Sequence, residues 1–109
     1  MIIIKPFLVF ILLFSTLVHL SFLSVKASSA LNEDYENGEE LYDLACANCH
    51  GKNLQNPANA SFNLSTFPKD QKDRFIESVT FGKGFMPALG HIFAPEELEQ
   101  LWIYISQHQ

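Results

Sequence analysis

At 109 residues the chain has room for one domain, and its two cysteines exclude a disulfide framework. Seven basic residues stand against twelve acidic ones, a balance that argues against nucleic acid or an anionic membrane surface as partner. It favours a partner with a basic face.

The chain opens on an apolar stretch, residues 7–23, which follows Lys5 and Pro6 and carries no charge. SVKASSA comes next, with Val25-Lys26-Ala27 resembling a cleavage site. A lone positive charge, an apolar run and a small-residue end describe a secretory signal peptide over residues 1–27, cleaved after Ala27 or Ala30. The run also approaches the roughly 20 residues that span a bilayer, so an uncleaved anchor is the alternative. Either way residues 31–109 lie outside the cytoplasm, and residues 28–109 form the domain. Without the signal the charge becomes −7, from five basic and twelve acidic residues. The remaining 82 residues are near the size at which a protein core alone is marginal.

No repeat, low-complexity tract or alternating strand pattern appears; the domain reads as all-α. A first helix is expected from about Asp34 to Cys46, with Leu41, Leu44 and Ala45 as its apolar side. Gly38, Tyr42 and Cys46 fall four apart and share a face. The acids of NEDYENGEELYD read as a solvated helix start. A second helix is expected from about Lys69 to Phe81, with Phe75, Ile76 and Val79 inward and Lys72, Asp73 and Glu77 outward. Pro68 and Gly82 punctuate it. A third follows Pro95, where Leu98, Leu101, Trp102 and Ile105 make an amphipathic stripe. Glu96, Glu97 and Glu99 suit its dipole, while Ala94 is a poor cap. Between the helices lie two long loops rich in Gly, Pro and Asn, of the kind that wraps something. Two sequons, Asn59-Ala60-Ser61 and Asn63-Leu64-Ser65, matter only in a eukaryotic secretory pathway.

Both cysteines occur in DLACANCHGKN, where His50 directly follows Cys49. A Cys46–Cys49 disulfide would close a tiny loop and restrict the unfolded chain little. A thioredoxin-like dithiol needs a helix start in a βαβ setting, which is missing. A structural zinc site needs four ligands, and Cys46, Cys49 and His50 supply three. A Cys-x-x-Cys-His run can instead attach a c-type haem, the thiols adding to its two vinyl groups and the histidine reaching the iron. An exported domain short of core, with two long loops, suits a buried porphyrin. For the sixth iron position the candidates are Met86, His91, His108 and none. Met86 sits in a glycine-flanked loop where it is unlike core filler, with Pro87 stiffening the chain beside it. His91 is its main rival, with an exposed loop histidine as the alternative reading. His108 sits near a fraying end.

Gly38, Tyr42, Cys46, Cys49, His50 and Gly51 together resemble the G-x-x-x-[FY]-x-x-x-C-x-x-C-H-G opening of the class I c-type cytochromes. The Met86-Pro87 loop and the closing Leu101-Trp102-Ile103-Tyr104-Ile105 match that family's other landmarks in order. The resemblance implies a small all-α cytochrome c-like fold of about three main helices, with long loops around one covalent haem c. The first and last helices would cross at Gly38, with Tyr42 packing near Leu101 and Tyr104. It implies thioethers at Cys46 and Cys49, axial ligation by His50 and Met86, and single-electron transfer between exported, periplasmic redox proteins, not enzymatic catalysis. The stretch from Asn63 to Leu89 is further similar to cytochromes that accept electrons from quinone-dependent alcohol dehydrogenases, through Leu64, Phe67-Pro68, Arg74-Phe75, Ser78-Val79, Gly82-Lys83 and Met86-Pro87. A quinoprotein dehydrogenase donor, and a terminal oxidase or another cytochrome as acceptor, follow as expectations. Two alternatives stay open: a haem protein whose sixth position binds peroxide or a gas, and a haem-free module held by a Cys46–Cys49 disulfide.

Overall fold

A computed structural model describes residues 6–56 and 62–108. The sequon Asn59-Ala60-Ser61 and Lys5 of the expected signal peptide lie outside the described residues. Among the described residues there are four α-helices: α1 (Pro6–Ala45), α2 (Ala47–His50), α3 (Lys72–Phe81) and α4 (Pro95–Gln107). Among the described residues there is no strand, only one isolated bridge, Lys83 to Met86. The chain divides into two compact units, residues 1–32 and 33–109. The second unit holds the core and the candidate site.

Where the sequence pattern placed a helix start near Asp34, α1 instead runs unbroken from Pro6. Nothing between residues 24 and 37 is Gly or Pro, so no residue there stops a helix. The face carrying Tyr42 and Cys46 turns inward, with Tyr42 fully buried. Leu44, expected on the apolar side, is 77% exposed. It follows Tyr42 by two positions, about 200° around the helix, and so points away from the core.

Gly38 fixes how closely α4 approaches. A Cβ there would lie 2.1 Å from the carbonyl oxygen of Gln100 and 2.9 Å from Cβ of Tyr104. The crossing expected from Gly38 is therefore present, with backbone against backbone. Tyr42 and Tyr104 pack as a tilted pair, 5.3 Å between ring centroids. Leu101, Tyr104 and Ile105 of α4 are fully buried, and Trp102 nearly so. On the other side of α4, Phe75 of α3 lies 5.5 Å from Trp102, and Phe67 meets both rings edge-on. Such tilted aromatic pairs match ring edge to ring face. Arg74 caps the group, its guanidinium 4.9 Å from the Phe67 ring centre.

α3 starts at Lys72, three residues later than the sequence suggested, because Lys69 and Asp70 form a turn after Pro68. Lys72 pairs with Glu99 across α3 and α4 at the surface. The Ala94 cap is compensated: its N–H donates to Oε2 of Glu97 at 2.7 Å, the reciprocal arm of a capping box. The first long loop has local structure, with single 3-10 turns at Lys52–Leu54 and Leu64–Thr66. Asn63 caps the second, its Oδ1 accepting from the Ser65 N–H at 3.1 Å. Leu54, Leu64 and Phe67 bury their side chains in the core.

Candidate haem site

α1 ends by delivering Cys46 to the core, 7% exposed. Burial pushes its thiol up to about 11, with neighbouring Cys49 adding to the shift. The Cys46 carbonyl then accepts from the N–H groups of both Cys49 (3.1 Å) and His50 (2.9 Å), winding the motif into the single turn of α2. Cys49 is on the exposed side, and neither cysteine forms a disulfide.

His50 is buried, and its Nδ1 lies 2.9 Å from the carbonyl oxygen of Phe62. A carbonyl only accepts, so the imidazole proton sits on Nδ1. Nε2 thereby keeps its lone pair, the state a metal ligand requires. The backbone after His50 is held twice. Tyr42 donates its hydroxyl to the Gly51 carbonyl at 2.7 Å. Gly51 adopts φ of 81°, and a Cβ there would fall 1.8 Å from the Gln55 carbonyl oxygen. The tyrosine and the final glycine of the sequence pattern thus have one task, which is to set the turn that aims His50.

Met86 closes a tight turn in which Lys83 and Met86 exchange both backbone hydrogen bonds at 3.0 Å. This turn is laced to the end of α3 by Leu89 N–H to the Val79 carbonyl (2.8 Å) and Gly90 N–H to the Thr80 carbonyl (3.3 Å). Gly82 makes the return path possible, since a Cβ on it would meet the Met86 carbonyl oxygen at 2.6 Å. Met86 is half-buried against the core, whereas Phe85 at the tip is fully exposed.

His91 is exposed on the loop. His108, expected to fray, is tied down. Its Nδ1 meets the Tyr35 hydroxyl at 3.0 Å, and its ring lies 5.1 Å from that of Tyr104. Lys69 Nζ reaches the Ile105 carbonyl at 2.7 Å and the His108 carbonyl at 3.4 Å, which caps the end of α4.

The donor set fits a haem. Two unbridged thiols, a buried imidazole with an unprotonated Nε2 and a half-buried thioether are the groups that vinyl addition and low-spin iron use. They do not make a zinc cage: among the described residues no three His, Cys, Asp or Glu side chains gather to hold a metal. Sequence reasoning had no access to the Phe62 carbonyl, because a backbone acceptor leaves no residue-type signal. Gly82 was read as a helix stop and as a flank of the Met86 loop; its close approach to the Met86 carbonyl needed the fold.

Residues 33–105 match the family described as cytochrome c oxidase, cbb3-type, subunit III. Three curated relatives bear the name cytochrome c6. That of Rippkaea orientalis is 34% identical over 93 residues, covering 82% of this chain and 84% of the relative. That of Microcystis aeruginosa is 33% identical over 73 residues, 63% of this chain and 90% of the relative. That of Nostoc sp. is 32% identical over 83 residues, covering 72% and 75% respectively. No solved structure matches the chain significantly. With the motif turn, the helix crossing and these relatives agreeing, the chain belongs to the class I c-type cytochromes, electron-transfer proteins with one covalently bound haem c.

Proposed function

We propose that the haem is tethered by Cys46 and Cys49, that His50 and Met86 are its axial ligands, and that the protein carries single electrons between redox partners outside the cytoplasm. The observation that carries this reading is the His50–Phe62 hydrogen bond, which orients the imidazole and leaves its Nε2 for the iron. Bound there, the haem supplies a reversible one-electron iron couple.

The protein's own residues do the rest. Tyr42 and Gly51 hold the turn so that His50 cannot swing. Leu64, Phe67, Phe75 and Trp102 keep water from the apolar interior. The Lys83–Met86 turn holds Met86 through backbone bonds that survive a change of iron charge. A site that reorganises little lowers the barrier to electron transfer, and thioether–imidazole ligation raises the potential relative to two imidazoles. Around Met86 the chain exposes Phe81 and Phe85, an apolar contact zone of the kind a transient partner desolvates. The acidic balance steers partners with a basic face, so association slows as salt rises. Residues 1–27 serve as the export signal to the periplasm, or as an anchor if retained.

Mass analysis of the exported protein tests the tether: the native chain gains one haem, the Cys46→Ala/Cys49→Ala double variant none. A far-red sulfur-to-iron charge-transfer band in the oxidised protein, lost in Met86→Ala, tests the sixth ligand. Its absence from the native protein removes Met86 and leaves the open-iron reading. A quinone-dependent alcohol dehydrogenase as donor is supported by the stretch from Asn63 to Leu89 alone. If mixing with such an enzyme and its alcohol leaves the haem oxidised, that donor is removed.

A further inference from the structure

A cleft of about 640 Å³ lies away from the haem-attachment turn, lined by Asn53, Gln55, Ser65, Lys69 and His108. None of the five belongs to the Cys46–His50 turn or to the Met86 loop. They occupy the outer side of the two 3-10 turns: Leu54 and Leu64 are buried in the core, while their neighbours Asn53, Gln55 and Ser65 are exposed. Lys69 ties the end of α4 to the same place, through the carbonyls of Ile105 and His108.

The polar groups of the cleft are held by the fold. Lys69 spends two of its three N–H groups on those carbonyls, at 2.7 and 3.4 Å, which fixes the ammonium and leaves one N–H. The same contacts offset the negative end of the α4 dipole, which would otherwise repel an anion. His108 is fixed by the Tyr35 hydroxyl on its Nδ1 and by the Tyr104 ring against its own. A phenol donating to Nδ1 places the imidazole proton on Nε2, so the ring nitrogen left over is a donor. Asn53 sits at φ of 54°, a left-handed position that asparagine tolerates, and its amide and that of Gln55 supply further N–H groups. Ser65 gives its hydroxyl proton to Oδ1 of Asn63 and adds no donor.

Four donors, one full positive charge and no acidic lining residue select an anion, in a chain whose net charge is −5. A carboxylate is gripped best by the planar fork of arginine, and no arginine lines the cleft. A lysine point charge with scattered amide donors suits the tetrahedral face of a phosphate. The acidic balance of the whole chain repels an anionic membrane, so the phosphate that fits is a soluble one. We propose that this cleft binds a soluble phosphate, free or as a small monoester, on Lys69 Nζ, with Asn53, Gln55 and His108 Nε2 around it. The bound phosphate bridges the two 3-10 turns to the end of α4. It therefore braces from outside the loop that buries Leu54 and Leu64.

The test is a titration of the reduced, isotopically labelled holoprotein with inorganic phosphate, at ionic strength held constant with chloride and followed by amide nuclear magnetic resonance. Saturable, millimolar shifts are expected at Asn53, Gln55, Ser65 and Lys69, and the melting temperature should rise with phosphate. Gln55→Glu leaves the α4 cap intact and sets a carboxylate in the cleft, so binding should weaken about tenfold. Lys69→Gln should abolish binding, whereas Lys83→Gln removes the same charge outside the cleft and should change nothing. Absent or non-saturating shifts, shifts reproduced by chloride, or affinity undiminished in Gln55→Glu overturn the proposal. Flotation with vesicles of anionic phospholipid should leave the protein behind; co-flotation lost in Gln55→Glu assigns the cleft to a lipid headgroup and overturns the soluble ligand.

Discussion

Substituting Gly38 by alanine tests the helix crossing directly. The added Cβ would sit 2.1 Å from the Gln100 carbonyl oxygen and 2.7 Å from its carbonyl carbon, both backbone atoms that cannot rotate away. Relief requires α1 and α4 to part by roughly 1 Å, and a gap of that size forfeits a quarter to a half of each dispersion contact across it. Those contacts belong to Tyr42, Leu101, Tyr104 and Ile105, all fully buried. Overpacking of this kind costs about 3 kcal/mol. Replacing a helical glycine by alanine returns about 1 kcal/mol of helix propensity. The net loss is therefore about 2 kcal/mol, and a domain of this size should melt roughly 8–16 °C lower. Thermal unfolding of the haem-loaded protein, followed by circular dichroism, measures it. Asn37→Ala, next door and exposed, is the control for propensity alone and should change stability by a few tenths of a kcal/mol. If Gly38→Ala melts at or above the native temperature, the backbone approach does not limit this crossing and the reasoning fails.

Other consequences are equally open to measurement. Tyr42→Phe leaves the Gly51 carbonyl without its donor and should cost about 1 kcal/mol in denaturant unfolding. Tyr104→Phe should instead be neutral or stabilising, because it removes a buried hydroxyl that has no partner; a loss above about 1 kcal/mol would reveal a hidden partner. Alkaline pH tests the same residue. Its folded-state value near 12 lies above the unfolded 10, so the folded chain holds the proton more tightly. The stability Tyr104 contributes is then intact below pH 10 and lost as pH rises toward 12, about 3 kcal/mol at most, and Tyr104→Phe should remove that part of the alkaline fall, leaving the part due to Tyr42, which burial raises as well. Lys69→Ala uncaps the Ile105 and His108 carbonyls, and amide exchange in the last turn of α4 should speed several-fold while α3 is unchanged.

Much of the site could be read from residue types because its chemistry demands rare ones. Two thiols and an imidazole in five positions have few uses, and a methionine beside proline in a glycine-rich loop is out of place as packing. The α4 stripe and the inward face of Gly38, Tyr42 and Cys46 were equally plain, since helical periodicity fixes them. What stayed hidden was carried by backbone or by distance in the chain. The Phe62 carbonyl orients His50 from 12 residues away, and any residue type could have supplied it. Lys69 caps carbonyls 36 and 39 residues on, so the pattern near His108 gave no sign that the end was fastened. Leu44 was misplaced because an apolar residue type was taken for an inward one, although its angle on α1 sets it opposite Tyr42. The start of α1 was missed because a composition shift at Asp34 changes solvation without breaking a helix.

The crossing of α1 and α4 also has a consequence in time. Asp34 and Gln100 are 66 positions apart, and Tyr35 and His108 are 73 apart, yet each pair is hydrogen-bonded. The face of α1 that carries Gly38 and Tyr42 packs against α4, near the other end of the domain. A chain emerging in order from its first residue therefore cannot close this core until α4 has been delivered. Until then the Cys46–His50 turn stays open, and non-local closure of this kind comes late. Fitting a prosthetic group requires an unclosed polypeptide, and these long-range contacts keep the chain unclosed until its last helix is in place.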